Sequence, residues 1–576
     1  MSQRPPDPPS SPNRLWLIAG LLACVALGVA HALYYWPEVI DDAYITFRYA
    51  RNFVSGAGLS FNPGGPPVEG FSNLAWFWIS ALALRLGAHD LLQFMKVVGL
   101  VLHAGTIVAV WALAGGLERS ARPTTLVAPL LFATNPFVAY HAVAGLETPL
   151  HVALIATAAL SILELERHPR LAFPLLLLSL ALTPWSRPES FGYAGALLVA
   201  GGVLHRDRRG PRRLLLRAAA VAAISIALLA VWRWTTFGAL LPNTALAKSA
   251  GPSGRETLMT GALYVARFFN ALPVPADLAV YLLALAALAA AFRATDLVLL
   301  APVACAVVFS VAVRGDWMHS FRFLVPATPF LSALIARKAS LALGGPRWRS
   351  LSAGRRIATV AVAGLLAVMV FQQSLLYTVH GEGGFGRSWK SRFWPAQIGE
   401  RVAGGFPARL TGITRWSIEH VSSRQVIATG DIGFPAWASD ARIVDLAGLT
   451  DRELGRIIPA RGAAAYRRYL ESRKPDIVVM RVERGRPVML YDELTAGSGA
   501  LGGYALIDSA DTYWAEARAL LYRRTGSALS TAPDSVLARY DRAIAWNPRV
   551  PILETWRRQY ASRANAATAA RTAASR

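Results

Sequence analysis

Two adjacent carboxylates, Asp41 and Asp42, stand just past the first apolar run, in the stretch IDDAYITFRYARNFVSGAGLSFNPGGPPVEGFSNLAWFWIS (residues 40–80). An aromatic, arginine-bearing segment follows (Tyr44, Phe47, Arg48, Tyr49, Arg51), then a Gly/Pro-rich loop ending at Glu69-Gly70. Residues 43–54 have a helical pattern, and either aspartate makes a good N-cap at the positive end of the helix dipole. One aspartate is enough for that role. A carboxylate at the membrane edge can also take a proton from a hydroxyl. Capping and chemistry both remain open for this pair.

Other polar residues gather at the ends of later apolar runs. These are His141 and Glu147 in HAVAGLETPL, Arg187 and Glu189 in RPES, Asn243 and Lys248 in LPNTALAK, and Asp316, Trp317, His319 and Arg322 in GDWMHSFRFLVP. Ionisable groups in such places are costly and are functional candidates by default. Each also has a structural reading. Glu147 is placed to cap the next span. Arg187 and Glu189 suit a local ion pair, and Lys248 and Arg322 suit snorkelling to headgroups. No ligand pattern links the two histidines, which makes them hydrogen-bonded structural groups rather than metal ligands. Taken jointly, the set suits transfer to a hydroxyl with an anionic leaving group, which the family resemblance given below implies is sugar transfer from a lipid phosphate. A carboxylate deprotonates the acceptor hydroxyl, an oxocarbenium-like centre tolerates nearby negative charge, and Lys and Arg receive the departing phosphate. One base and one in-line displacement give inversion at the anomeric carbon.

The elements that must position these groups are membrane helices. The chain has 576 residues, 54% hydrophobic and only 16% charged, a membrane composition. The net charge of +24 comes largely from clusters such as HRDRRGPRR (205–213) and RKASLALGGPRWRSLSAGRR (337–356). These read as cytoplasmic loops, and no nucleic-acid-binding module is present. Cys24 and Cys305 lie inside apolar runs without metal spacing and read as small buried hydrophobes.

Charge asymmetry then sets a topology of eleven spans: 15–34, 90–115, 124–141, 147–165, 170–184, 187–204, 213–235, 272–292, 295–313, 320–338 and 356–378. The signal-peptidase-like AHA at 30–32 is rejected because the count needs an uncleaved, cytoplasmic start. Residues 71–87 become a juxtamembrane helix on the outer surface, with Trp76 and Trp78 at the interface. All the polar groups above then face the outer side.

The expected domains are a disordered cytoplasmic N-terminus (1–14), a membrane domain (15–379) containing the first extracytoplasmic loop (35–89), a linker (380–395), a soluble extracytoplasmic α/β domain (396–560) and a disordered tail (561–576). The α/β domain should have strands at 426–429, 442–446, 476–480 and 504–508 and helices at 463–474 and 533–546. Asp431 and Asp445 read as turn and cap residues. The domain reads as acceptor-binding or as a cover over the membrane site.

DDAYITFRYARN, GAGLSFNPG and VEGFSN resemble the first extracytoplasmic loop of GT-C membrane glycosyltransferases, especially the terminal arabinofuranosyltransferase type. LPNTALAK, GDWM with RFLVP, and DLAGLTD (445–451) resemble the same family, so the likeness spans most of the chain. It implies a polytopic GT-C fold with juxtamembrane helices, a polyprenyl-phosphate sugar donor, and a glycan, lipid or protein acceptor at the outer face of a bacterial plasma membrane.

Asp41 aligns with the leading acid and would be the base, with Asp42 as runner-up. Glu147 matches the second-loop acid and would orient donor or acceptor. Lys248, Arg187 and Arg322 would bind phosphate, and Tyr44, Trp76 and Trp317 would stack on sugars. Arg48, Glu69, Asn73, His141, Glu189, Asn243, Asp316 and His319 complete the implied substrate-binding set. Some GT-C enzymes use a divalent cation, but no dense carboxylate cluster demands one here, so neither metal nor other cofactor is assigned. The rival readings are a transporter or flippase of lipid-linked sugars, a protein O-mannosyltransferase or lipid A sugar transferase on the same scaffold, and a non-catalytic assembly partner.

Overall fold

A computed structural model describes residues 14–36, 38–118, 121–248, 254–269, 292–316, 318, 320–344, 411–439, 441–511, 517–529, 533–546 and 551–574. The chain opens with α1 (Arg14–Tyr34), then α2 (Asp41–Val54) and α3 (Leu74–Arg85). α3 has 12 residues, about 18 Å of helix at 1.5 Å per residue, well short of a hydrocarbon core of about 30 Å. Asp90 begins α4 (Leu91–Leu113) by accepting from the Gln93 N–H at 3.1 Å.

The expected span 124–141 is bent. A 3-10 turn (Pro123–Leu126) and α5 (Val127–Ala133) meet α6 (Pro136–Val143) at 59°. The cause is local. The Asn135 carboxamide oxygen caps α6 by accepting from Phe137 and Val138 at 3.0 and 3.2 Å, and Pro136 has no N–H to continue α5.

α7 (Thr148–Glu164), α8 (Pro169–Ser186), α9 (Ser190–Leu204) and α10 (Arg209–Phe237) follow, then α11 (Asn243–Ala247) and α12 (Arg255–Phe269). The last two replace what the sequence suggests is a long loop. After α13 (Ala294–Ala312), residues Ser320 and Phe321 have positive φ (67° and 49°). α14 (Thr328–Gly344) therefore starts later than the expected 320.

Among the described residues four helices (α1, α4, α10, α13) are long and apolar enough to cross a membrane, or five if the bent pair counts as one span. Helices α1, α4, α5, α7, α8, α9, α10, α13 and α14 bury their apolar faces in one shared core. The expected spans 272–292 and 356–378 and the linker lie outside the described residues.

The C-terminal part runs α15 (Thr411–His420), β1 (Val426–Thr429), α16 (Phe434–Ala438), β2 (Arg442–Asp445), α17 (Leu454–Ile457), α18 (Ala463–Arg473), β3 (Ile477–Glu483), β4 (Arg486–Pro487), α19 (Leu490–Gly497), β5 (Tyr504–Asp511), β6 (Ala517–Arg524), α20 (Pro533–Trp546) and α21 (Pro551–Ala574). The sheet order is β2-β1-β3-β6-β5, with β4 beside β3. Strands β2, β1 and β3 are parallel, with Ile427 opposite Ile443 and Ile477, whereas β6 and β5 add antiparallel.

β6 (ARALLYRR) is not among the strands expected from the sequence; its pairing with β3 and β5 makes it a strand. The expected disorder after residue 560 is also corrected. α21 continues to Ala574, anchored by buried Leu553 and Trp556 and carried on by an Ala-rich, helix-favouring stretch.

This part does not stand apart from the membrane half. Tyr44, Phe47 and Trp76 share a core with Phe434, Trp437 and Tyr540, while Phe71 and Phe77 share one with Ile413 and Ile427.

Candidate functional site

The two neighbouring aspartates have different partners. Neither caps α2, whose N-cap is Ile40 with no side-chain cap bond. Asp41 instead serves the other half of the protein. Its Oδ2 accepts from the Gly433 N–H at 2.8 Å and its Oδ1 from the Phe434 N–H at 2.7 Å, at the start of α16. Burial, with Asp431 nearby, pushes the Asp41 carboxyl up to about 7, while those two N–H groups oppose the rise.

Asp42 is one residue on, about 100° around the helix, and only partly buried. Its carboxyl is raised chiefly by burial; Lys248 and Arg322 pull it down, and Asp316 and Glu147 push it up. Both Asp41 oxygens are engaged by the C-terminal domain, and Asp42 is the carboxylate that shares a field with the cations.

Around Asp42 the sequence candidates from separate loops converge. Glu147 takes the N-cap position of α7 but makes no cap bond. Its Oε1 pairs with Arg187 Nη1 at 2.5 Å and its Oε2 accepts from Asn73 Nδ2 at 2.8 Å. Asn73 Oδ1 in turn accepts from the Thr46 hydroxyl at 3.0 Å. Arg187 also pairs with Glu189, so the local ion pair exists, but inside a larger network. Arg322 pairs with Asp316 at 2.8 Å and is buried rather than snorkelling. The guanidinium carbons of Arg187 and Arg322 lie 5.3 and 5.2 Å from the ring centroid of Phe323. Lys248, exposed, closes the short helix α11, its N–H donating to the Thr244 carbonyl at 3.1 Å.

Two members of this network were missed. Phe323 stands inside the quoted RFLVP, so the motif was its signal. Thr46 lies four residues after Asp42, on the same face of α2.

Other candidates are held elsewhere, by structural contacts. Tyr44 is fully buried, 4.9 Å from the Phe434 ring. Trp76 is also fully buried and donates to the Gly145 carbonyl at 2.9 Å. The expectation of sugar stacking fails for both, and Trp76 is not an interfacial anchor. Arg48 donates to the carbonyls of Phe61 at 2.8 Å, Ala441 at 3.1 Å, and Ala436. Glu69 makes a two-pronged pair with Arg233, with contacts of 3.0–3.1 Å. His141 Nε2 donates to the Ser320 carbonyl at 3.1 Å, the structural role its sequence context suggested. Asn243 Nδ2 donates to the carbonyls of Gly448, Leu449 and Asp451 at 2.8, 2.9 and 3.2 Å. Trp317 and His319 lie outside the described residues. Among the described residues no group of three or more His, Cys, Asp or Glu side chains is placed to hold a metal ion.

In the C-terminal domain, Asp445 caps its own turn, accepting from Ala447 N–H at 2.9 Å and from Thr450 N–H and hydroxyl at 2.7 and 3.1 Å. Asp431 pairs with Arg481 at 2.8 Å. Both are structural, in keeping with turn chemistry.

A family model described as a domain of unknown function (DUF8728) matches residues 400–536. No curated protein matches the chain. Among solved structures, ArnT from Cupriavidus metallidurans bound to undecaprenyl phosphate is similar with a TM-score of 0.53 at 13% identity, over 90% of this chain and 99% of that one. An oligosaccharyltransferase from Archaeoglobus fulgidus, tethered to an acceptor peptide, gives 0.48 at 10% identity over 81% and 69% of the two chains. The first likeness covers most of both chains, and at so low an identity what the two chains share is the fold.

Proposed function

We propose that this protein is a membrane glycosyltransferase that moves a monosaccharide from a polyprenyl-phosphate donor to an acceptor hydroxyl, with inversion at the anomeric carbon. The observation that carries the proposal is the field around Asp42, made by Lys248, Arg322, Asp316 and Glu147 from four separate segments. Asp42 takes the proton of the acceptor hydroxyl as its oxygen bonds to the anomeric carbon. The bond from that carbon to the phosphate oxygen breaks, and the lipid phosphate leaves toward Lys248 and Arg322. A carboxyl raised by burial is a better base near neutral pH than an ordinary one. Glu147, held between Arg187 and Asn73, orients the substrate. The undecaprenyl phosphate held by the similarly folded ArnT supports a lipid phosphate as the carrier.

The finer assignments rest on the sequence motifs. LPNTALAK and DLAGLTD favour a pentofuranose such as arabinose as the sugar, and a cell-envelope glycan, lipid or protein as the acceptor. The basic loops favour an N-terminus in the cytoplasm and a C-terminal domain on the outer face, and the motif resemblance favours a bacterial inner membrane. Transfer from synthetic polyprenyl-phosphate sugars, assayed in proteoliposomes, tests the proposal. Asp42→Asn should lower turnover by about 100-fold or more, the usual worth of a general base. Wild-type turnover in that variant would overturn it.

A further inference from the structure

The loops that follow β1 and β2, two neighbouring parallel strands, each reach into the membrane half. The loop after β1 supplies the Gly433 and Phe434 N–H groups that hold Asp41, fixing the first turn of α2, which carries Asp42. The loop after β2 supplies the Gly448, Leu449 and Asp451 carbonyls that receive Asn243 Nδ2. Asn243 is the first residue of α11, a helix of five residues whose C-cap is Lys248. So short a helix has little stability of its own, and its place is set by its contacts.

Those contacts form a braced junction. The Asn243 N–H donates to the Glu69 carbonyl at 3.0 Å, and Glu69 is pinned to Arg233 of α10. Gly70 packs against Thr450 so closely that an added Cβ would come within 2.5 Å of Thr450 Cγ2. Arg452 donates to the Phe237 carbonyl at the end of α10. The Asp445 carboxylate shapes the 447–450 turn through Ala447 and Thr450, and so sets where the Asn243-binding carbonyls point.

Resting on the function proposed above, we infer that the C-terminal domain is a two-pronged positioning clamp for the transfer site: through Asp41 and Asn243 it holds the base carrier and the phosphate-binding lysine at a fixed separation. Asn243 is then a positioning residue that acts through Lys248 and touches no substrate. Loss of its amide leaves α11 free to shift and weakens the grip on the donor phosphate, while the acid–base step at Asp42 stays intact.

A double-mutant cycle in the full-length protein tests this. Asn243→Ala should raise the donor KM about tenfold with kcat nearly unchanged, the mark of lost uniform binding. It should also reduce the thermal stabilisation given by undecaprenyl phosphate. In a Lys248→Ala background the same change should have no further effect on either quantity. Asp445→Asn, which alters the turn from the far side, should copy the phenotype and carries the test if Asn243→Ala does not accumulate folded. Two results overturn the inference. In one, the KM effects of Asn243→Ala and Lys248→Ala multiply; in the other, kcat falls while donor KM and lipid-phosphate binding hold. An unchanged donor KM in Lys248→Ala removes the lysine from phosphate binding, and the clamp falls with it. Full turnover in Asp42→Asn is the separate result that sinks the functional proposal itself.

Discussion

Glu147 and Arg187, 40 residues apart, are joined at 2.5 Å with both side chains less than a tenth exposed. Arg187 also compensates Glu189, so one guanidinium serves two buried carboxylates. Removing one partner of a buried pair leaves an uncompensated charge, at a cost of about 3–5 kcal/mol. Arg187→Met should lower the thermal midpoint of the detergent-solubilised protein accordingly. Arg187→Lys keeps the charge but loses the planar fork that reaches two acids, and should fall between the two.

The adjacent aspartates should separate by phenotype. Asp42→Asn should stop transfer while leaving stability close to wild type. Asp41→Asn keeps a single acceptor for two N–H donors and should loosen the docking of the C-terminal domain, read as faster proteolysis between the halves, with turnover reduced less than in Asp42→Asn. The acid limb of kcat/KM should lie above the ordinary carboxylate range, because burial raises Asp42, and Asp42→Asn should abolish it. Equal losses of turnover in the two variants, with equal proteolysis, would contradict this division of labour.

Gly433 faces Asp41 with no room for a side chain. An added Cβ would overlap the Asp41 carbonyl and its carboxylate. Neither is the flexible end of a long side chain, so Gly433→Ala should pry α16 from α2. Size-exclusion profiles and limited proteolysis should show a loosened C-terminal domain. Gly485→Ala is a control on crowding: its surroundings are open, and only the strain of its positive φ of 79° remains.

Stability should depend on pH in a direction set by buried acids. Asp41 and Asp445 are each raised by burial from 3.8 to about 7 in the folded protein. Between those values the folded form keeps protons that the unfolded chain has released, so stability falls as pH rises from about 4 to about 7 and levels off above. Thermal midpoints measured across that range should show the slope. Asp445→Asn should flatten it; an unchanged slope would remove Asp445 from the account.

The candidate site residues were legible because their types and places are unusual. Carboxylates and cations at the ends of apolar runs are costly, and Asp42, Glu147, Arg187, Lys248, Asp316 and Arg322 were all visible on that ground. The four expected strands were also legible from their apolar character, and they recur at Val426–Thr429, Arg442–Asp445, Ile477–Glu483 and Tyr504–Asp511. The break at Asn135-Pro136 carried a readable local signal, but the surrounding hydropathy masked it. The α21 tail looked polar and low in complexity, and its anchors at Leu553 and Trp556 are buried only by the fold.

What the sequence by itself determined is therefore the inventory: apolar helices set by hydropathy, their ends marked by charge, and an α/β region set by alternation. Which aspartate faces the cations was left to the tertiary structure, because Asp41 and Asp42 are chemically identical neighbours. Their difference comes from partners about 390 residues away, the Gly433 and Phe434 N–H groups. Tyr44 and Trp76 were likewise decided by packing, since an aromatic ring serves a core or a sugar equally well until its burial is known.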